Sequence, residues 1–172
     1  IGLVYKAWGK YEQALEYIGE ALRVARESGN NKSGVMRLIN LGLIYHSMKR
    51  YNEALEHYNE ALNVNIKTGD NENIATVYNN IGALYKDTKD YKNAINYLEL
   101  ALVKYRDLNF DIQAATVLTN IGDIYLNVGD YKNAEEYLNE STEITIQQEN
   151  SKQNRKNYEL LSEKKKKKGN YE

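Results

Sequence analysis

Apolar residues recur at three- and four-residue spacing along most of the chain, and this helical rhythm repeats every 40 residues. The segment that begins at Ile81 (Ile-Gly-Ala-Leu-Tyr) has counterparts that begin at Ile1, Leu41 and Ile121. Three- and four-residue spacing places the apolar side chains on one face of a helix. Because a fixed period of this length is typical of stacked supersecondary units, the pattern predicts a chain of tandem helical units.

Residues 71–110 show the content of one unit. A first apolar stripe stops near Asp87, a polar turn follows at Lys89 and Asp90, and a second stripe begins at Tyr91. Between units, Gly69 suits the left-handed cap that ends a helix, and the Asp and Asn residues after it suit the start of the next. We therefore expect two antiparallel helices per unit, in a single solenoid fragment spanning residues 1–172. Its predicted divisions are a partial repeat 1–30, repeats 31–70, 71–110 and 111–150, and a partial repeat 151–172.

Small residues recur at fixed positions within the units. Glycine falls in the middle of the first predicted helix, where it costs about 1 kcal/mol relative to alanine, and alanine recurs in the second helix. This pattern predicts that another helix backbone comes close to each glycine. The residues concerned are Gly42, Gly82 and Gly122, with Ala54, Ala94 and Ala134.

Composition narrows the possible functions. The net charge is −1, the chain has no cysteine or proline, and no apolar run approaches the length of a membrane span. Neither a nucleic-acid partner nor a membrane partner is therefore expected, thiolate metal sites are excluded, and a cytoplasmic location is the expectation.

No catalytic constellation is visible. The chain has no phosphate-binding loop and no nucleophile motif, and its histidines, His46 and His57, fall on opposite faces of the predicted unit. Metal ligands must converge. We therefore expect no enzyme activity, no metal and no cofactor.

The unit resembles the tetratricopeptide repeat (TPR). The match runs through Gly82, Tyr85, Ala94, Leu98 and Ala101, and the same register fits the neighbouring units, with Ser141 in place of the last alanine. The family's usual proline and tryptophan are missing, and the 40-residue unit is longer than the common form. That long form is similar to kinesin light chains, Pins-type adaptors and bacterial Rap-type regulators. The resemblance implies an all-α, right-handed α-solenoid of helix-turn-helix hairpins.

The resemblance also implies a binding groove on the concave side, lined by the first helix of each unit. Kinesin light chains and clamp-type chaperone adaptors hold a peptide backbone with asparagines that match Asn40, Asn80 and Asn120. An amide side chain both donates and accepts hydrogen bonds, so the chemistry suits a peptide group. The alternative is that these residues cap or bridge neighbouring helices. The other residues expected on the groove are Leu43, His46, Thr76, Asn79, Lys86, Asp87, Thr116, Thr119, Asp123 and Asn127.

Three further features of the sequence concern possible binding or packing roles. The row Lys6, His46, Lys86 and Leu126 is too mixed for the basic cluster that binds a C-terminal carboxylate. The run Lys164–Lys168 could bind nucleic acid or acidic lipid, but a solvated helix end is the preferred interpretation. Phe110 replaces a polar loop residue, and we expect it to pack the loop against the following helix.

Two functions are consistent with these patterns. The first is a protein-interaction module that binds a peptide or partner segment in its groove. The alternative is the sensory or regulatory region of a larger signalling protein, such as a transcription regulator or histidine kinase. The chain begins within a repeat, so a longer protein is expected, and its ends could associate through Tyr5 and Ile18 or through Tyr158 and Leu161.

Overall fold

The computed structural model describes residues 1–147 and 151–169 of the chain. These residues form helices joined by short turns, and the first helix of successive hairpins begins at residues 31, 71, 111 and 151. The chain divides into two compact units, unit 1 at Ile1–Leu84 and unit 2 at Tyr85–Glu172. The helices are α1 Gly2–Ala7, α2 Tyr11–Glu27, α3 Asn31–Ser47, α4 Tyr51–Thr68, α5 Asn71–Asp87, α6 Tyr91–Asp107, α7 Asp111–Val128, α8 Tyr131–Gln147 and α9 Ser151–Gly169.

Aspartates begin several of the helices. The carboxylate of Asp90 accepts a hydrogen bond from the backbone N–H of Asn93, at 3.2 Å, and a second from the Asn93 side chain, at 2.7 Å. Asp130 and Asn133 repeat this arrangement at α8. Each carboxylate satisfies one of the N–H groups that the first turn of a helix leaves without a partner. The polar turns between apolar stripes therefore fix where the helices start.

In unit 1, consecutive helices from α1 to α4 pack against one another. Ala54, the predicted counterpart of Gly42 on the second helix, is fully buried. The neighbour of Gly42, however, is a side chain. A Cβ atom at Gly42 would lie 2.4 Å from the ring of Tyr58, which is itself fully buried.

In unit 2, α6 to α9 pack in the same consecutive manner, and α7 also contacts α9. A Cβ atom at Gly122 would lie 2.7 Å from Leu138 Cγ and 3.4 Å from the backbone oxygen of Ala134. The predicted close approach of a helix backbone is therefore only part of the reason for these glycines. They chiefly make room for a large side chain on the second helix of the hairpin.

A stacked ring pair joins the two helices of each hairpin, with its members 12 residues apart in sequence. Tyr5 stacks on Tyr17 at a centroid distance of 5.3 Å, and Tyr45 stacks on His57 at 5.3 Å. In unit 2 the pairs are Tyr85 with Tyr97, at 5.6 Å, and Tyr125 with Tyr137, at 5.5 Å. Offset stacking of this kind adds to the stability gained from burial alone. These contacts account for part of the tyrosine content.

Phe110 makes a different contact from the one predicted. It precedes α7, and its ring stacks on Tyr105 at a centroid distance of 6.4 Å. Tyr105 lies on α6, which is the preceding helix, whereas the sequence pattern suggested the following one. Tyr105 is buried and supplies an apolar surface close by, so the aromatic contact decides the orientation of the ring.

Candidate functional site

The predicted site residues lie on α3, α5 and α7, the first helices of their hairpins. Within each unit we call the surface that carries these residues the first-helix face, and each is described by itself. In unit 1 the residues are half-buried: Asn40, Leu43, His46, Thr76, Asn79 and Asn80. In unit 2, Asp87 and Asn127 are exposed, Thr119 is buried, and the rest are half-buried: Lys86, Thr116, Asn120 and Asp123.

The three asparagines that recur every 40 residues, which we call the asparagine row, have side-chain groups free to form hydrogen bonds. Asn40, Asn80 and Asn120 are each half-buried, and their side-chain amides form no hydrogen bond with any residue in the described ranges. A capping or bridging role would require such a bond. Each amide therefore keeps a donor and an acceptor available, which is the combination that matches a peptide group.

Asn40 borders an open cavity of about 410 Å³. The walls include Ile1 and Leu3 at the start of α1, Tyr17 on α2, and Arg37 one helical turn before Asn40 on α3. The guanidinium of Arg37 adds donors beside the amide, and the tyrosine ring adds an apolar wall. A ligand that reaches Asn40 would thus meet both polar and apolar surface.

Three other members of unit 1 already have contacts or are partly shielded. The Oδ1 atom of Asn79 is buried and has no hydrogen-bond partner within the described structure. The hydroxyl of Thr76 donates to the backbone oxygen of Glu72, at 3.1 Å, as helical threonines commonly do. The ring of His46 lies edge-on to Tyr51, at a centroid distance of 5.9 Å. Among the predicted residues of this unit, Asn40 and Asn80 are the half-buried asparagines whose amides form no hydrogen bond with the described residues.

Unit 2 brings three predicted residues together. The amino group of Lys86 lies 2.9 Å from Oδ2 of Asp123, and both side chains are largely shielded from solvent. The Nδ2 atom of Asn127 donates to the backbone oxygen of Asp123, at 2.8 Å. This cluster joins α5 to α7 and places one ion pair next to Asn120. The hydroxyl of Thr116 donates to the oxygen of Ile112, at 2.9 Å, one turn earlier in α7.

Lys156 on α9 also belongs to this face, although the sequence interpretation missed it. Desolvation lowers the pKa of its amino group, and the positive charge of Lys86 lowers that pKa further, whereas Asp123 opposes the change. Lys156 is therefore near the ion pair. The available signal was its register, because Lys156 lies 40 residues after Thr116, which was predicted to be on the face.

Thr119 is the predicted site residue that the structure removes from the accessible surface. It is fully buried, and its hydroxyl lies 2.7 Å from Oδ1 of Asn157 and 2.9 Å from Oγ of Ser141. The amide of Asn157 donates to Ser141 and to Thr142, at 3.0 and 3.2 Å. We call these four residues the buried polar cluster. Because it ties α7 and α8 to α9, Thr119 serves packing and cannot contact a partner.

Leu126 is also placed differently from the groove row in which the sequence put it. It is 4% exposed and belongs to an apolar cluster with Ala134 and Leu138, against which Leu160 and Leu161 pack. At the other end, Ile18 is buried within unit 1 and lines the open cavity beside Asn40, and association of the ends stays a prediction. The side chains of Lys164–Lys168 lie outside the described part of the structure.

Two other kinds of site are absent from the described ranges. No three His, Asp or Glu side chains there converge as metal ligands would. No described helix combines the length and hydrophobicity needed to cross a bilayer.

Comparison with known proteins identifies the repeat. The tetratricopeptide repeat model matches residues 1–64, 34–107 and 73–147. No curated protein matches the chain in sequence. Among solved structures, BtubC (BKLC) of P. vanneervenii shares 25% identity at a TM-score of 0.77, over 87% of this chain and 62% of that one.

Two further structures share the fold at lower identity. A Rap protein complexed with competence and sporulation factor has 20% identity and a TM-score of 0.84, with 95% of this chain and 49% of that one covered. A kinesin-light-chain-like protein of Podosopora anserina, with nearly identical TPR-like repeats, has 15% identity and a TM-score of 0.78, with coverage of 98% and 84%. The chain thus spans less than two thirds of the length of BtubC and of the Rap protein.

The repeat match covers most of the sequence, and the described residues form the same tandem helical hairpins as these structures, without strands. The fold class is all-α, of the TPR-solenoid type. The chain belongs to the tetratricopeptide repeat family.

Proposed function

We propose that the chain is a non-catalytic interaction module that binds an extended peptide or partner segment on its first-helix face. The observation that carries this proposal is the row of half-buried asparagines, Asn40, Asn80 and Asn120, whose amides have no partner among the described residues. Family membership supports it, since the repeat is an interaction scaffold. A largely preformed surface also limits the ordering cost of binding.

The residues around the asparagines would select the sequence of the partner. In unit 2, Lys86 pairs with Asp123, Lys156 lies near that pair and Asp87 is exposed, so this part of the face offers both charges to partner side chains. In unit 1, Arg37, Tyr17 and Leu3 offer a mixed polar and apolar surface beside Asn40. The main-chain contacts would give affinity, and these side chains would give specificity.

The test is a peptide-library selection against wild type, followed by affinity measurement with a triple variant, Asn40→Ala, Asn80→Ala and Asn120→Ala. A control triple variant, Asn59→Ala, Asn96→Ala and Asn139→Ala, alters exposed asparagines of the second helices instead. Each triple variant replaces three helical asparagines by alanine, so the two should gain similar helix propensity. Their free energies of unfolding should therefore be similar. Selected peptides should lose about tenfold or more in affinity for the first variant and retain affinity for the control. Equal affinity for all three proteins would place the binding surface elsewhere.

A second candidate is the sensory or regulatory region of a larger signalling protein. It is favoured by the likeness to the Rap protein, which binds competence and sporulation factor, and by the 49% of that protein that the chain spans. Reading the gene beyond the codon for Glu172 tests this candidate. A kinase or DNA-binding segment downstream would support it, whereas further repeats alone would favour a simple adaptor.

A further inference from the structure

An open groove runs between α2 and α3 in unit 1. Two cavities of about 410 and 430 Å³ meet in it, and both are lined by Tyr17, Ala21 and Arg37. The lining comes from residues 1–40 alone, and α1, which is only six residues long, borders one end of the groove. The large side chains of Tyr17 and Val24 are therefore exposed on α2. The groove is thus a surface between two helices that no third described helix covers.

Unit 2 contains an equivalent groove, and a helix fills it. Residues 120 positions later in the sequence form this groove, so α8 and α9 take the places of α2 and α3, and α7 contacts both. In the first half of α7, the hydroxyl of Thr119 lies 2.9 Å from Oγ of Ser141 and 2.7 Å from Oδ1 of Asn157. Ser141 and Asn157 are the counterparts of Ala21 and Arg37. A groove of this kind therefore accommodates about ten residues of helix, or three turns.

The two grooves differ in charge at the position that faces the covering helix. In unit 2 this position is Asn157, a neutral side chain that accepts a hydrogen bond from Thr119. In unit 1 it is Arg37, which is half-buried and forms no hydrogen bond or ion pair with any described residue. Among the lining residues the one carboxylate is that of Glu20, and it is already paired with Arg23. Because a charge that becomes buried needs a partner of opposite sign, a helix that covers Arg37 should supply a carboxylate.

We propose that this groove binds an amphipathic helix of a partner protein, about three turns long, with a carboxylate at the position that Thr119 has in α7. Apolar side chains of that helix cover Tyr17 and Val24. The carboxylate pairs with Arg37 above the small side chain of Ala21. A short helix is only marginally stable alone in water, so the partner segment becomes ordered on binding. Recognition is then of the helix-in-groove type.

The test uses two fluorescent peptides that copy the first half of α7, residues 111–120. One peptide carries Thr119→Glu and the other carries Thr119→Lys. In fluorescence anisotropy, the glutamate peptide should bind wild type about tenfold more tightly than the lysine peptide, or better. Arg37→Glu should reverse this preference, which a general loss of folding would not do. Lys32→Glu, the same change of charge at an exposed position on α3, is the control and should keep the wild-type preference.

Methyl NMR locates the bound peptide. The signals of Ala21 and Val24 should shift with the glutamate peptide, whereas that of Ala134 in unit 2 should not. The proposal is wrong if neither peptide binds saturably up to about 1 mM, if wild type binds both peptides equally, or if the shifts lie in unit 2. It is also wrong if the gene encodes a helix directly before Ile1 and a protein that includes this helix no longer binds the glutamate peptide. The chain would then fill its own groove.

The groove shares only Asn40 with the asparagine row. A double variant, Asn80→Ala and Asn120→Ala, should therefore bind the glutamate peptide like wild type, even where it loses affinity for peptides selected on the first-helix face. Conversely, Arg37→Glu tests the groove without altering any asparagine of the row. Failure of this proposal can thus be told apart from failure of the proposed function.

Discussion

The hydroxyl oxygen of Thr119 lies 2.7 Å from the side-chain oxygen of Asn157, and this contact joins α7 to α9 in the interior of unit 2. Ser141 and Thr142 complete the buried polar cluster. A satisfied buried network stabilises packing, and removal of one member takes a buried hydrogen-bond partner from each residue that contacts it. The attachment of α9 therefore depends on polar contacts as well as on the apolar contacts of Leu160 and Leu161.

We predict that Asn157→Ala lowers the free energy of unfolding by about 1–3 kcal/mol, because three hydroxyl groups lose a buried partner. Amide hydrogen exchange should show the largest loss of protection in α9. Arg155→Ala, on the same helix but with a well-exposed side chain, is the control and should leave protection near wild type. Unchanged exchange in α9 of Asn157→Ala would show that the cluster does not hold the helix.

Two glycines of α3 provide a matched pair of substitutions. A Cβ atom at Gly42 would lie 2.4 Å from the Tyr58 ring, whereas one at Gly34 would be 3.9 Å from Leu22. Gly42→Ala should therefore overpack the hairpin and cost about 1–3 kcal/mol. Gly34→Ala should gain up to about 1 kcal/mol, since alanine is the better helix former. Urea denaturation of both variants checks the signs, and a loss at Gly34 would mean that its surroundings are tighter than described.

His57 should make stability depend on pH. Burial beneath Tyr45 lowers the pKa of its imidazole below the usual value of about 6.5, an effect that Glu60 and Glu56 oppose and Arg26 reinforces. The folded state thus disfavours the protonated ring. Stability from this group is complete above about pH 6.5 and is lost as the pH falls toward the folded-state pKa. A His57→Gln variant should show a flatter stability curve across this range than wild type.

The control for this experiment is His46→Gln, which leaves His57 in place and should therefore retain the wild-type loss. Denaturant midpoints measured from about pH 8 to about pH 5 provide the comparison. If both variants lose stability in parallel with wild type, the pH dependence comes from carboxylates and not from His57.

The ion pair of Lys86 with Asp123 should contribute more to the free energy of unfolding than an exposed pair such as that of Arg23 with Glu20. Its side chains are 21% and 27% exposed, whereas those of Arg23 and Glu20 are 58% and 60% exposed. Asp123→Asn should cost about 1–2 kcal/mol, between the values typical of surface and buried pairs. A double-mutant cycle with Lys86→Met measures the coupling directly. A coupling no larger than that of Arg23 with Glu20 would contradict the shielding argument.

The fold could be predicted from the sequence because the same pattern of apolar and small residues recurs in each 40-residue unit. Ala54, Ala94 and Ala134 share a register, and all three are fully buried. The sequence predicted the polar turn at Asp90 for a local reason, since the capping bond there spans only three residues. Features repeated along the chain, or formed within one turn, could thus be read without the structure.

The site was harder to predict, because the face on which a residue lies depends on its neighbours in space. Thr119 was assigned to the groove as a polar residue beside Asn120, yet it shares its register with Ile39, which is also buried. Asn157 likewise occupies the register of Val117, a core residue. Their mutual hydrogen bonds explain how polar side chains occupy apolar positions, and these pairings are not visible in one sequence. The binding role of Asn40, Asn80 and Asn120 stays a prediction.

The ring pairs have an optical consequence. Each hairpin carries its own pair of stacked aromatic side chains, and three of the four pairs consist of two tyrosines. Stacked chromophores held in a chiral environment give near-ultraviolet circular dichroism that disappears when the rings separate. Replacement of one ring at a time, such as Tyr97→Leu or Tyr137→Leu, would subtract the signal of a single hairpin. Near-ultraviolet circular dichroism could then follow the opening of this protein one hairpin at a time, without any attached label.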